Sequence, residues 1–301
     1  MKNILINNRY RIDYKIGEGG FGKVFSGTDI SNSNKVAIKL VESREDPRAL
    51  KGETEIYQGL AGKVGIPLVY WFEQEVEYNV LVMELLGPSL EDLFNYCNRR
   101  FSLKTILLIA DQAIRRIEHI HRRYIHCDIK PDNFLLGIGR QGNILYTVDF
   151  GVAKEFSGEE RYLSLRALPF GGTSRYASIN NHKGLHQSWK DDLECLGYMF
   201  VYFARGSLPW QGLKAATEND KLELIKQKKI SLSGEDLCQD LLPTEFARYI
   251  NYTRSLDPQD KPNYRYIRNL FRNLFKSEGF EYDHVFDWTV KRYFEVYGEG
   301  G

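Results

Sequence analysis

The stretch Ile125-His126-Cys127-Asp128-Ile129-Lys130-Pro131-Asp132-Asn133 decides the reading. It places a carboxylate, an amine and a carboxamide in one short loop, and Asp149-Phe150-Gly151 follows a short hairpin later. That combination suits phosphoryl transfer. Asp128 can accept the proton of an attacking hydroxyl, and Lys130 can neutralise the group in flight. Asn133 and Asp149 can hold Mg²⁺ against nucleotide phosphates.

Working outward, residues 9 to 84 read mostly as strand. Arg9 to Ile16, Lys23 to Asp29 and Lys35 to Val41 alternate or carry β-branched and aromatic residues. Gly17-Glu18-Gly19-Gly20-Phe21-Gly22 joins the first two, with Val24 beyond. Glycines let backbone amides fold closely over phosphates, where a Cβ would obstruct approach. A dinucleotide fold would follow its glycines with a helix; here a strand follows, as in a kinase-type phosphate cover. Val36-Ala37-Ile38-Lys39 then ends a strand on an amine placed to grip α- and β-phosphates. A helix expected over Pro47 to Leu60 supplies the carboxylate that orients it. Glu53 is the favoured partner, by resemblance to kinases more than by spacing, and Glu55, on a different helical face, is the alternative.

Tyr78 to Leu85 is a strongly apolar strand, and Gly87-Pro88 ends it and opens a linker. Ser89 reads as the N-cap of the next helix, with an acid at the third position. In a kinase this linker is the hinge, where backbone groups near Glu84 and Leu86 would bind adenine and Met83 would guard the pocket behind it; Met83 can equally be read as core packing. Over Ser102 to Arg123, Leu103, Ile106, Leu107, Ala110, Ile114, Ile117 and Ile120 recur at helical spacing, so that stripe is core. Phe134 to Leu136 and Ile144 to Val148 form a hairpin that ends at Asp149. A glycine-rich hairpin, V-A-I-K, a catalytic loop and D-F-G in this order specify a protein kinase far better than any one of them alone.

Composition fits and excludes. The 301 residues suffice for two lobes, and 41 Lys plus Arg against 40 Asp plus Glu give no whole-chain argument for nucleic acid. Cys97, Cys127, Cys195 and Cys238 lie far apart without metal-like pairing, as expected of reduced thiols in the cytosol or nucleus. Met1-Lys2-Asn3-Ile4 leads into no signal-peptide apolar region, and the longest apolar run, Ile106 to Ala110, is too short to cross a bilayer.

Several stretches resemble the casein kinase I family. They are Leu85 to Phe94, Lys130 to Leu135, Gly172-Thr173-Ser174-Arg175-Tyr176-Ala177-Ser178-Ile179-Asn180, Asp191 to Tyr198, Gly206 to Lys214, Lys261-Pro262-Asn263-Tyr264 and Val285-Phe286-Asp287-Trp288. The resemblance implies an α+β, bilobal Ser/Thr kinase domain over 8–290, using ATP and Mg²⁺. Its β-rich N-lobe would span about 8–84, its hinge 84–89 and its helical C-lobe 90–290, with an ATP cleft between lobes and a short extension at 291–301. It further implies nucleotide contacts from Ile16, Gly17, Glu18, Gly19, Gly20, Phe21, Gly22, Val24, Ala37, Lys39, Met83, Glu84, Leu86, Asp92, Leu135 and Asp149. Catalytic work falls to Asp128, Lys130, Asn133, Lys39 and Glu53, and metal binding to Asn133 and Asp149. Substrates would carry acidic or phosphorylated residues upstream of the acceptor, and the protein is expected to act as a monomer with no membrane or nucleic-acid partner.

The departures from the family are informative. Cys127 replaces the arginine that usually precedes the catalytic aspartate and that helps form an anion site with Lys154. Its plain reading is a small neutral residue in a semi-buried loop; a sharper one is a redox-regulated thiol. Of the substrate-anion residues, Arg175 and Lys221 remain, but Glu218 and Asp220 oppose them, so a blunted preference for phospho-primed substrates is expected. Leu165 to Phe170 is more apolar than usual. Ser157, Tyr162 and Ser164 lie in the activation segment without being marked as a required switch. By the same resemblance Asp192, at a helix start capped by Ser188, would anchor catalytic-loop amides, and Thr173 would position Asp128 and Lys130. The rival readings are a pseudokinase that only binds nucleotide or a partner, and a scaffold with secondary catalysis.

Overall fold

The computed structural model describes residues 5–19, 22–42, 49–74, 77–156 and 170–297. Gly20 and Phe21, the first residues of the helix expected from Pro47, Ser157, Tyr162, Ser164 and the stretch 165–169 lie outside the described residues. The chain divides into two compact units, residues 1–88 with 134–152, and residues 89–133 with 153–301. The hairpin leading to Asp149 thus groups with the first unit, although the sequence reading put it inside 90–290.

The first unit is a six-stranded antiparallel sheet and one helix. Its strands are β1 (Leu5–Ile6), β2 (Tyr10–Gly19), β3 (Gly22–Asp29), β4 (Lys35–Glu42), β5 (Val69–Gln74) and β6 (Tyr78–Glu84), in the order β1-β2-β3-β4-β6-β5. Alternation sends Val36, Ile38, Val80 and Val82 to one face, where they bury with Ile6 and Tyr10. Lys39 and Leu40 follow on β4, so the strand that builds the core also delivers the amine. The β2–β3 register shifts between Ile12 and Tyr14 and again between Lys15 and Gly17, which re-aims the hairpin tip. Sequence reading did not separate β1 or β5. β5 is the sheet edge opposite β1, half to fully exposed along its length, so it lacks a clear buried alternation. Helix α1 (Ala49–Gly59) packs beside β5 and β6. The hairpin strands Phe134–Leu136 and Leu145–Thr147 pair antiparallel, and Leu136 is strapped to the segment after β6 by Gly87 N–H to Leu136 O (2.8 Å) and Leu136 N–H to Pro88 O (3.0 Å). A Cβ on Gly87 would sit 3.0 Å from Gly137 O, so the close approach needs glycine.

The second unit is helical: α2 (Leu90–Tyr96), α3 (Leu103–Ile120), α4 (Ile179–His182), α5 (Trp189–Arg205), α6 (Glu218–Ser231), α7 (Gly234–Cys238), α8 (Thr244–Ser255), α9 (Tyr264–Ser277) and α10 (Asp287–Tyr297). The caps are local and legible. Ser89 forms a reciprocal capping box with Asp92, and Ser102 caps Thr105 N–H at 3.3 Å. Every α5 residue from Trp189 to Ala204 is buried, which makes α5 the central rod of this unit. It stops at Gly206, whose φ of 88° supplies the left-handed C-terminal turn. No helix among the described residues is long and apolar enough to cross a membrane. This sheet-rich N-terminal and helical C-terminal arrangement is the α+β organisation expected from the sequence.

Candidate active site

In the first unit, three charged side chains converge. Lys39 Nζ lies 2.7 Å from Glu53 Oε2 and 3.2 Å from Asp149 Oδ1. Lys39 and Glu53 are buried, at 8% and 3% side-chain exposure, so the pair sits in a low dielectric where its geometry counts. Burial is the largest influence on the Lys39 amine and pulls its pKa down. Glu53 and then Asp149 outweigh it, leaving the amine above its ordinary value and charged. Glu55 points elsewhere, exposed and 4.0 Å from Lys51, so Glu53 is the carboxylate that α1 presents to Lys39.

Asp149 holds a left-handed backbone (φ 65°), uncommon for a residue with a Cβ. Its N–H donates to the Tyr57 hydroxyl at 2.9 Å, and the Tyr57 ring meets Phe150 edge-on at 4.9 Å. Sequence reading missed Tyr57. It lies four residues after Glu53 on α1, a spacing that puts both on one face, so the helical period carried the signal.

The other expected nucleotide contacts in this unit are distributed as follows. Ile16, Gly17, Glu18 and Gly19 end β2, and Gly22 and Val24 begin β3, with Gly17 paired to Val24 and Val24 to Lys39. Ile16 is exposed, while Ala37 and Met83 are buried cross-strand partners on β4 and β6. Glu84 N–H donates to Leu68 O at 2.8 Å, and its Oε2 accepts Leu68 N–H at 3.2 Å. Leu86 and Leu135 are half-buried.

In the second unit, the catalytic-loop residues gather around one carboxylate. Lys130 Nζ lies 2.6 Å from Asp128 Oδ2, and Thr173 places both its N–H and its hydroxyl 3.1 Å from Asp128 Oδ1. Asn133 Nδ2 donates to Asp128 O at 2.9 Å, which turns its amide oxygen into the ligand atom it offers. Gly172 has φ 79°, and a Cβ there would lie 3.0 Å from Asp128 Oδ1, so only glycine lets this segment lie against the carboxylate. The loop itself hangs on Asp192, whose Oδ2 accepts His126 N–H at 2.7 Å and whose Oδ1 accepts Cys127 N–H at 2.9 Å. His121 Nε2 reaches the same Oδ2 at 2.8 Å, and His121 Nδ1 meets Tyr264 Oη at 2.5 Å. Burial pushes the Asp192 pKa up, but these donors outweigh it and hold it below its ordinary value. The cap at this helix start belongs to Asp191 and not Asp192, because Asp191 is the third residue after Ser188 and accepts its N–H at 2.7 Å. Burial pushes Asp191 up to about 7.

One expectation needs correction. Cys127 is not in a semi-buried position; it is buried, with φ 66° and its amide on Asp192. Burial, then Asp192, pushes its thiol well above the ordinary value, although Lys154 pulls the other way. That favours the unreactive thiol and removes the basis for a redox role. Asp92, an expected nucleotide contact, is exposed, and its Oδ2 accepts the Ser89 N–H at 2.9 Å and hydroxyl at 2.7 Å in the helix cap. Of the anion residues, Lys154 is exposed on the short strand paired with Tyr124–Ile125. The Arg175 guanidinium lies 5.7 Å from the ring centroids of both Tyr176 and Tyr202. Lys221 Nζ lies 3.2 Å from Glu218 Oε1, while Asp220 is held by the Thr217 hydroxyl at 2.8 Å.

One unit therefore presents an amine fixed by a carboxylate beside the Asp-Phe-Gly aspartate. The other presents a carboxylate bracketed by a lysine and a threonine in a loop fixed from below. Each constellation is of the kind that phosphoryl transfer uses. The family model described as protein kinase domain matches residues 10–270. The chain belongs to the protein kinase family.

Proposed function

We propose that this kinase is of casein kinase I type and moves the γ-phosphate of ATP to serine or threonine in acidic sequence contexts, with a weakened preference for phospho-primed sites. The observation that carries the Ser/Thr reading is the Lys130–Asp128 pair at 2.6 Å, a cation two residues from the general base. Resemblance in the hinge, the Gly172–Asn180 segment and the helices beyond supports the family branch.

On this reading Asp128 orients the acceptor hydroxyl and takes its proton, with Thr173 holding one oxygen of the carboxylate in place. Lys130 neutralises charge on the group in transfer. Lys39, oriented by Glu53, grips the α- and β-phosphates. Catalysis is then mostly positioning and charge stabilisation. Bound Mg²⁺ would supply charge neutralisation at the phosphates. Asp149 and Asn133 each offer a hard oxygen of the kind it takes. Among the described residues no cluster of three or more His, Cys, Asp or Glu could hold a metal alone, which suits an ion that draws most of its shell from phosphates and water.

The weakened priming follows from the fate of the cations: Lys221 is paired with Glu218, Arg175 lies against two tyrosine rings, and Cys127 supplies no charge. The cytosol or nucleus is the proposed location, and a monomer the proposed state. The test is transfer from Mg-ATP to an acidic serine peptide, its threonine and tyrosine counterparts, and a phospho-primed version. Transfer to serine and threonine that is lost in Asp128→Asn supports the reading, with a primed-to-unprimed ratio within a few-fold of one. Transfer to tyrosine alone, or none with nucleotide still bound, overturns it.

A further inference from the structure

Lys229 is a lysine in the wrong place for a lysine. It sits on α6 at 0% exposure, and among the described residues its amine forms no ion pair with a carboxylate. Burying a cation without a carboxylate is costly, and a leucine or methionine would fill the same volume without that cost. Burial pulls the amine down to about 7, against smaller opposing effects of Cys195 and Glu194.

What the amine does make is specific. It donates to Ser174 O at 2.8 Å and Ala177 O at 2.5 Å, and lies 3.1 Å from His182 Nε2. It lies 4.9 Å from the ring centroid of Trp210 and 5.2 Å from that of Tyr198. Two carbonyl oxygens and an imidazole nitrogen thus surround the amine. Of the two carbonyls between these backbone partners, that of Arg175 is held as well, since Trp210 Nε1 donates to Arg175 O at 2.7 Å. The carbonyls of residues 174, 175 and 177 are therefore all anchored on buried donors. This run begins one residue after Thr173, which is hydrogen-bonded to Asp128. The run therefore adjoins the carboxylate that would receive the acceptor hydroxyl.

We propose that Lys229 is a positioning residue for the protein substrate: its buried amine, with the Trp210 indole, fixes the path of Ser174–His182 and so the surface on which the acceptor peptide lies. This rests on the kinase reading above. It assigns Lys229 no contact with the reacting atoms.

The test is Lys229→Met and, separately, Trp210→Phe, which removes one donor and keeps an aromatic ring beside the amine. At saturating Mg-ATP the peptide KM of Lys229→Met should rise at least tenfold, and that of Trp210→Phe about threefold, while the KM for Mg-ATP stays within twofold of wild type. Amide hydrogen exchange should quicken across Ser174–His182 and stay unchanged in α3. A general loss of structure would move both KM values together, and that result overturns the proposal. So does an unchanged peptide KM with unchanged exchange. If Lys229→Met does not fold, Trp210→Phe decides by the same two readouts. If the wild-type protein transfers no phosphate, the kinase reading fails on its own, and exchange in the two variants still decides whether these donors anchor the segment.

Discussion

Asp192 holds the backbone amide of Cys127 at 2.9 Å, 65 residues away along the chain, and the cysteine side chain takes no part in that bond. The catalytic loop is thus fixed through its main chain, and the residue at 127 can change while the loop keeps its shape. Cys127→Ala should leave kcat within about twofold of wild type. Asp192→Ala strips a buried carboxylate from three donors and should cost about 3 kcal/mol of stability. Chemical denaturation alongside steady-state kinetics checks both.

Glu53→Gln keeps the shape of the carboxylate but not its charge. Lys39 would then have Asp149 as its acidic partner and be drawn toward it. Because misplacing a positioning group costs heavily, kcat/KM for ATP should fall about 100-fold. The same substitution at exposed Glu55 should leave it unchanged. Kinetics with varied ATP at fixed peptide separate the two.

Asp128 and Asp149 are predicted to fail differently. Asp128→Asn removes the proton acceptor and should lower turnover by about 100-fold or more, with nucleotide affinity intact. Asp149→Ala should weaken Mg-ATP binding as well. Calorimetric titration of Mg-ATP into both proteins checks this, and equal affinities would contradict the division of roles.

Glu218→Gln frees Lys221 from its exposed partner. A surface pair is worth about 0.2–1 kcal/mol, so preference for a phospho-primed peptide should rise by a factor of about 1.5 to 5. Paired kinetics on primed and unprimed peptides measure it.

Burial, then the Lys229 charge, lowers the His182 pKa from an ordinary 6.5 to about 3. Between those values the unfolded chain binds a proton that the folded chain refuses, so stability falls as pH falls from 6.5 toward 3. Asp191, raised to about 7, acts in the opposite sense between 3.8 and 7, where the folded chain holds the extra proton. His182→Gln should therefore flatten the acid loss of stability, read as the denaturation midpoint against pH and compared with wild type.

Much of this protein is local and was legible as sequence. The β3–β4 alternation, the Ser89 cap and the apolar stripe of α3 each depend on neighbours within a few residues. The catalytic loop announced its chemistry through residue types in one short run. The order of these motifs led to the kinase fold. The tertiary structure decided which distant groups meet. Sequence reading favoured Glu53 over Glu55 as the partner of Lys39, but only folding put Glu53 Oε2 at 2.7 Å. The Tyr57 hydroxyl on the Asp149 amide and the two anchored loop amides on Asp192 join segments far apart in the chain. Lys229 is the plainest case. Its spacing from Ile225 puts both on one helix face, yet a lysine reads as solvated until the surrounding carbonyls and rings are in place. Propensity and capping are set by a residue's own backbone and nearest neighbours. Burial, ion pairing and pKa are set by whatever the fold packs against it, and the chain carries no local record of that.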